Sequence, residues 1–400
     1  MKRIGIYGGT FNPPHLGHFR VVQSAFSALS LDRLYVVPAF QAPNKQEVSG
    51  TQGEHRLKML QLCFGDEPRI TVSDCELQRG GISYTVETLQ QLKQTDPDAE
   101  WILLLGADSF LSIDTWYQWE EILKTASLAV FERGTKQEQT AIADQKKKLE
   151  EKGANIYTAD HRITQVSSTD IRRMLAFRCA DDYLHPKVAA YIQWNGLYDT
   201  RKNLRHLSEQ ALEAAVVSLL KPNRIKHVLG CRDTAVELAR HWGENETDAA
   251  RAGLLHDITK ALDGPLQLTL CSVYGIVLDD FSKENPKTLH ALTGALVAQR
   301  IFGENEAVVS AIRSHTTGKA NMNLLEKIIY VADYMEPNRD FAGVEQLRKL
   351  AFEDLNAALK LGLEMTLAVL KEQGKEISAG SQEALVWLAH EQENSSERMD

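Results

Sequence analysis

The sequence predicts two domains of different class, a parallel α/β domain over residues 1–200 and an all-α domain over 204–392, followed by a polar tail at 393–400. Three observations predict this. Four hundred residues exceed what one ordinary hydrophobic core can hold. In the first half, short apolar runs alternate with helix-period stretches, a pattern that implies a parallel sheet with helices on both faces. Beyond Tyr198-Asp199-Thr200-Arg201, long helical patterns follow one another without a convincing strand.

In order along the chain, the runs at 4–7, 34–37, 102–105 and 126–131 read as strands, because each is short and bounded by Gly, Pro or charge. Between them, helical periodicity covers 17–28, 55–63, 86–94 and 137–152. The Lys146-Lys147-Lys148 run in the last of these reads as a solvated helix face. In the second half the helical patterns are 208–220, 224–242, 248–259, 289–302, 324–335 and 344–370.

Composition narrows the function classes. The 43% apolar and 25% charged fractions are those of a globular protein. No apolar run approaches the roughly 20 residues that span a bilayer. The opening MKRIGIYGGTF reads as a strand rather than a signal-peptide core, so the expected location is the cytoplasm, with no membrane partner. Five scattered cysteines without a C-x-x-C pair argue against a disulfide framework or a thiolate zinc site. The net charge is −9 and both halves carry an acidic excess, which excludes an ordinary nucleic-acid-binding domain. Small anionic substrates held by local Arg, Lys and metal charges remain compatible. The oligomeric state stays open, a homo-oligomer included.

The strongest local signal is Gly8-Gly9-Thr10-Phe11-Asn12-Pro13-Pro14-His15-Leu16-Gly17-His18. It follows the first strand and runs into a helix. Glycines there let backbone approach a phosphate, and the helix N-terminus offers free N–H groups and the positive end of a dipole. The two histidines, three residues apart, can face the same phosphates.

With these residues the first 198 positions resemble the H-x-G-H nucleotidyltransferase superfamily, whose fold is Rossmann-like, and within it nicotinate-nucleotide adenylyltransferase. The likeness extends to Val37-Pro38 with Pro43-Asn44-Lys45, Ser83-Tyr84-Thr85, Gly106-Ala107-Asp108 with Trp116-Tyr117, Val166 through Arg172, and Tyr191-Ile192 to Tyr198. One departure is Asn44, where the family often has histidine. The resemblance implies transfer of an adenylyl group from ATP to nicotinate mononucleotide, with pyrophosphate leaving. Such an in-line displacement depends on positioning and charge stabilisation. It further implies that His15, His18, Lys45 and Arg172 bind phosphate oxygens, with Ser168 and Thr169 at a helix start and Mg2+ bridging the phosphates. Gly8, Gly9, Thr10 and Phe11 would contact the nucleotide. Thr85, Asp108, Trp116 and Tyr117 would form the pyridine side. Phosphopantetheine and nicotinamide mononucleotide adenylyltransferases remain alternatives.

The second half carries His227, His256-Asp257, His290, His315 and Asp333 in an H…HD…H…H…D order. Four imidazoles and two carboxylates suffice for two metals bridged by Asp257. Such ligands suit iron, manganese or zinc better than calcium or magnesium. Two such metals serve phosphorus–oxygen cleavage. The surrounding stretches resemble the bacterial YqeK-type HD domain, an all-α helical bundle: His227-Val228-Leu229-Gly230, Leu255 through Lys260, Glu284-Asn285-Pro286, His315-Thr316-Thr317-Gly318 and Asp333 through Arg339. This resemblance implies symmetric hydrolysis of diadenosine tetraphosphate to two ADP at dinuclear iron or manganese, with Lys260 and Arg339 on the polyphosphate. Hydrolysis of a deoxynucleoside triphosphate or guanosine tetraphosphate, or a non-catalytic nucleotide sensor, are alternatives.

Overall fold

A computed structural model describes residues 1–43, 51–132, 136–159 and 166–397. The chain divides into two compact units, Met1–Lys202 and Asn203–Asp400.

The first unit is built on six strands: β1 (Arg3–Gly9), β2 (Arg33–Pro38), β3 (Ile70–Val72), β4 (Glu100–Gly106), β5 (Ser127–Phe131) and β6 (Ile156–Ala159). All pairings are parallel and the order is β3-β2-β1-β4-β5-β6. Four strands are those the sequence predicts; β3 and β6 add one at each edge. Helices cross between successive strands, so both sheet faces are covered and the central strands are apolar almost throughout. Ile4, Ile6 and all of Trp101–Leu105 are buried. At Gly5 a Cβ would lie 2.6 Å from Leu34 Cδ1, so glycine permits the close packing there. The winding reverses between neighbours β1 and β4, and this switch point is where doubly wound sheets open a crevice at their carboxyl ends.

The second unit is helical, and no strand occurs among its described residues. Helix Pro222–Trp242 begins with proline at its first turn and ends at Gly243, whose φ of 75° supplies the left-handed cap. It packs on Glu246–Leu255 and Leu324–Met335, which in turn contact Glu306–Ser314. The helical pattern at 344–370 is two helices, Val344–Glu353 and Leu355–Glu372. Asp354 separates them in extended conformation (φ −152°, ψ 101°) and caps the second by accepting from the Ala357 N–H. Among the described residues, no helix is long and apolar enough to cross a membrane.

Candidate active sites

In the first unit the turn after β1 is held in an unusual shape from below. Phe11 has φ 49°, a left-handed conformation costly for a bulky residue. Its ring is buried and packs edge-on against Tyr7 (5.4 Å) and His18 (5.0 Å). Packing of the side chain thus sustains the backbone shape, and it is the turn that lines the cleft. Arg56, 2% exposed, donates from Nη1 to the Thr10 carbonyl at 2.8 Å and from Nη2 to that of Phe40 at 3.4 Å. The sequence reading misses this arginine, because nothing in its helix distinguishes it from a surface residue.

The histidine pair is fixed by the start of helix Leu16–Leu29. His15 is the N-cap, and its backbone N–H donates to His18 Nδ1 at 3.1 Å. An accepting Nδ1 places the proton of neutral His18 on Nε2. The rings lie 3.7 Å apart between centroids. His15 is 6% exposed and its Nδ1 has no hydrogen-bond partner. Burial pushes His15 down to about 4 and, with the neighbouring His15, holds His18 well below the usual imidazole range. Both rings are therefore neutral at pH 7. With its proton on Nδ1, this buried unpaired nitrogen at the helix start would suit a phosphate oxygen.

This depression has a stability consequence. Unfolded His15 titrates near 6.5 and folded His15 near 4, so its contribution is complete above pH 6.5 and is lost as pH falls towards 4. His15→Gln removes that titration. Thermal unfolding of parent and variant should show a stability difference that changes between pH 6.5 and 4 and is constant above pH 7.

A second arm arrives from helix Ser168–Ala176, opened by Ser168 and Thr169 as expected and capped by Ser167, whose Oγ accepts from the Asp170 N–H at 3.1 Å. The N–H groups of Ser168 and Thr169 lie in the first turn and are not the ones this cap satisfies. Ser168 Oγ donates to the Pro13 carbonyl (3.0 Å), and Arg172 Nη1 to that of Asn12 (2.7 Å). Arg172 Nη2 also reaches Thr169 Oγ1 at 3.0 Å. The turn after β1 and this helix start are therefore tied together. Tyr198 closes the group by donating to Asn12 Oδ1 at 2.7 Å.

The adjoining cleft has a volume of about 500 Å3 and runs across the ends of β1 and β4. It gathers Gly8, Gly9, Thr10, Phe11 and His18 with Thr85, Asp108, Trp116 and Tyr117. An added Cβ at Gly8 or Gly106 would meet nothing within 4 Å, leaving room for ligand on both central strands. Tyr117 is 52% exposed and packs on Tyr84 at 4.5 Å. Lys45 and Asn44 lie outside the described residues.

In the second unit the six predicted ligands meet, although they come from five separate segments. His227 sits mid-helix, while His256 and His315 cap the C-termini of Glu246–Leu255 and Glu306–Ser314. His290 lies in the first turn of Leu289–Val297, and Asp333 near the end of Leu324–Met335. Two triads result, His227–His256–Asp333 and Asp257–His290–His315, each with ligand atoms within 4.8 Å of one another. Asp257 joins them. Its Oδ2 is 3.7 Å from both His227 Nε2 and His256 Nε2, and its Oδ1 is 3.4 Å from His290 Nε2 and 3.8 Å from His315 Nε2.

The outer nitrogens explain why every Nε2 points inward. His256, His290 and His315 each place Nδ1 on the carbonyl three residues earlier: Gly253 (2.7 Å), Lys287 (2.7 Å) and Ile312 (2.6 Å). Helix ends and turns leave such carbonyls free. His227 is mid-helix, where the carbonyls are already used, and its Nδ1 instead meets the buried Glu336 Oε1 at 3.1 Å. Nδ1–H donation leaves the Nε2 lone pair for a metal. Burial lowers His256, His290 and His315, favouring the neutral form that ligates. Burial acts to raise Asp333, but the hydrogen bond with His227 and the neighbouring His256 and Arg339 outweigh it and hold the carboxyl well below the usual carboxylate range. The donor set and the convergent Nε2 atoms fit a pair of divalent transition metals.

Glu336 is the ligand support that sequence reasoning misses. Its Oε2 accepts from both N–H groups of Asn338 at 2.7 Å, and a Cβ at Gly230 would come within 2.5 Å of it. Glu336→Gln should weaken metal binding at the His227 position by about 10- to 100-fold. Gly230→Ala should reproduce part of that loss by displacing the carboxylate; metal titration of both variants checks this.

Lys260 and Arg339, expected on the polyphosphate, both border the cluster. Lys260 Nζ donates to His290 Nε2 at 2.9 Å, and burial pushes it down to about 8. Arg339 donates from Nη2 to Asp333 Oδ1 (2.7 Å) and from Nε to the Asp333 carbonyl (2.9 Å).

Fold and sites together define a nucleotidyltransferase-like sheet and an HD-type histidine–aspartate centre. A cytidylyltransferase-like model matches residues 6–174 and an HD domain model residues 224–338. The probable nicotinate-nucleotide adenylyltransferase of Albidiferax ferrireducens is 38% identical over 201 residues, covering 50% of this chain and all of the relative. That of Neisseria meningitidis is 34% identical over 203 residues, again 50% of this chain and 100% of the relative. Through its N-terminal half the chain belongs to the nicotinate-nucleotide adenylyltransferase family. Among solved structures, an HD superfamily hydrolase involved in NAD metabolism from Clostridium acetobutylicum is 40% identical, covering 46% of this chain and 98% of that one, with a TM-score of 0.45. Plasmodium falciparum nicotinic acid mononucleotide adenylyltransferase is 22% identical over 50% of this chain and 98% of that one, with a TM-score of 0.41.

Proposed function

We propose that the chain is bifunctional. The first unit condenses ATP with nicotinate mononucleotide to nicotinate adenine dinucleotide and pyrophosphate, a step of NAD biosynthesis. The second hydrolyses diadenosine tetraphosphate symmetrically to two ADP at a dinuclear iron or manganese centre.

For the first unit, the reading is supported by family membership and by the cleft that joins the histidine turn to the Thr85–Trp116 side. The mononucleotide phosphate attacks the α-phosphorus of ATP in line. The His18 Nε2–H, the first-turn N–H groups of Ser168 and Thr169, and Arg172 offer donors to the oxygens that gain charge. Mg2+ would be held mainly by the triphosphate itself, as is usual for this ion. Trp116 and Tyr117 offer flat faces to the pyridine ring.

The observation that carries the hydrolase half is Asp257, which gives one oxygen to each histidine pair. Divalent metals held by the two triads would supply the Lewis acidity that phosphoric anhydride cleavage needs. The protein's own part is to aim the Nε2 atoms, exclude water from behind them, and bring Lys260 against one side.

Acceptor competition tests the first activity. With ATP fixed, nicotinate mononucleotide, nicotinamide mononucleotide and phosphopantetheine are offered together and the products separated. Nicotinate adenine dinucleotide should dominate; a dephospho-coenzyme A product would sink the assignment.

A further inference from the structure

The arginine that points most directly into the histidine–aspartate centre is one the sequence reading leaves unassigned. Arg224 lies three residues before His227 on helix Pro222–Trp242, hence on the same face. Its Nη2 is in ion-pair contact with Asp257 Oδ2, the carboxylate oxygen shared with His227 and His256. Its Nε is buried and has no hydrogen-bond partner, while the side chain as a whole keeps 28% exposure. It therefore reaches from solvent to the bridging carboxylate with part of its donor fork unspent.

Arg339 is differently committed. Two of its donors hold Asp333, one through the carboxylate and one through the backbone carbonyl. Its own carbonyl accepts from Arg348 Nη2 at 2.9 Å, and that guanidinium also binds the carbonyls of Met335 and Glu336. Arg339 is thus built into the turn that carries Asp333. On the other side, Lys260 stands against His290. Besides Arg339, one cation therefore reaches a ligand atom on each side: Arg224 at Asp257 Oδ2, the oxygen facing His227 and His256, and Lys260 at His290 Nε2.

We infer that Arg224 is a phosphate-binding residue of the HD site, pairing with Lys260 to hold a polyphosphate across both metal positions, whereas Arg339 positions Asp333. The inference rests on the reading of this site as a polyphosphate hydrolase and adds a residue to it. Planar guanidinium favours two-pronged contact with phosphate, which lysine copies only as a point charge.

The test uses the full chain loaded with manganese, with ADP as the probe in calorimetric titration and metal content measured on the same samples. Binding to an Asp257→Asn chain gives the background from the other unit. Arg224→Gln should lower the metal-dependent ADP affinity by about 10- to 100-fold and keep the parent's metal content. Arg224→Lys should recover part of the loss, and Arg339→Gln should lose metal instead. An unchanged ADP affinity in Arg224→Gln would overturn the inference, as would metal loss in Arg224→Gln and Arg224→Lys equal to their loss of ADP affinity. If ADP binding depends on Arg224 while diadenosine tetraphosphate is left intact, the arginine assignment stands and the substrate assignment fails.

Discussion

Asp257→Asn is expected to abolish the hydrolase, with a fall of roughly three orders of magnitude or more, while adenylyl transfer stays within about twofold of the parent. The substitution hardly changes volume, so the effect is one of charge and ligation. Each Asp257 oxygen faces a different histidine pair, so one side chain serves both triads. Asparagine keeps one carbonyl oxygen and replaces the other by an NH2 group, which cannot ligate. Four imidazoles and Asp333 then face two divalent cations with a single carboxylate charge between them. Metal content by atomic emission should fall by at least one ion per chain. Full metal content with full activity would show that Asp257 is not a shared ligand.

His18→Ala should reduce kcat of adenylyl transfer by about 10²- to 10³-fold, the loss typical of removing one donor to a developing oxyanion. The KM for ATP should change much less, because the turn, the helix N-terminus and Arg172, proposed to hold the triphosphate, stay in place. His18 Nδ1 is occupied by the His15 N–H, so it is the Nε2 proton that is lost. His18→Gln carries an N–H donor at similar reach and should recover part of the rate. Hydrolase activity in the same preparations serves as the folding control. An equal rise in KM with unchanged kcat would assign His18 to ground-state binding alone.

How much of this was legible in the sequence differs between the two units. The β1 turn and its histidines announce themselves, because a strand, a glycine pair and a helix start occur within one continuous stretch. The edge strands do not: Ile70–Val72 and Ile156–Ala159 are three and four residues long, too short for a period to register. Their strand state comes from pairing with β2 and β5. In the helical unit the ligand order is legible because five of the six ligands fall at or near helix ends and turns. That the inward Nε2 atoms are aimed by carbonyls three residues back follows from the same placement, once the ends are known.

What stays hidden depends on contacts across the chain. Glu336 supports His227 from 109 positions away, and Gly230 is small because of that carboxylate rather than because of any turn. Arg56 is 46 residues from the carbonyl it binds. Its burial is set by packing under the turn, and the helix sequence around it gives no sign of this. Arg224 lies one helical turn from a ligand, and its contact with Asp257 emerges only when two helices pack.

The proposed function turns on whether the cluster joined by Asp257 cleaves a dinucleoside polyphosphate in its middle. The most direct test is chromatographic product analysis of diadenosine tetraphosphate incubated with the whole chain and iron(II) or manganese. ADP should be the sole nucleotide product, and Asp257→Asn should no longer form it. AMP together with ATP, or an intact substrate, would contradict it.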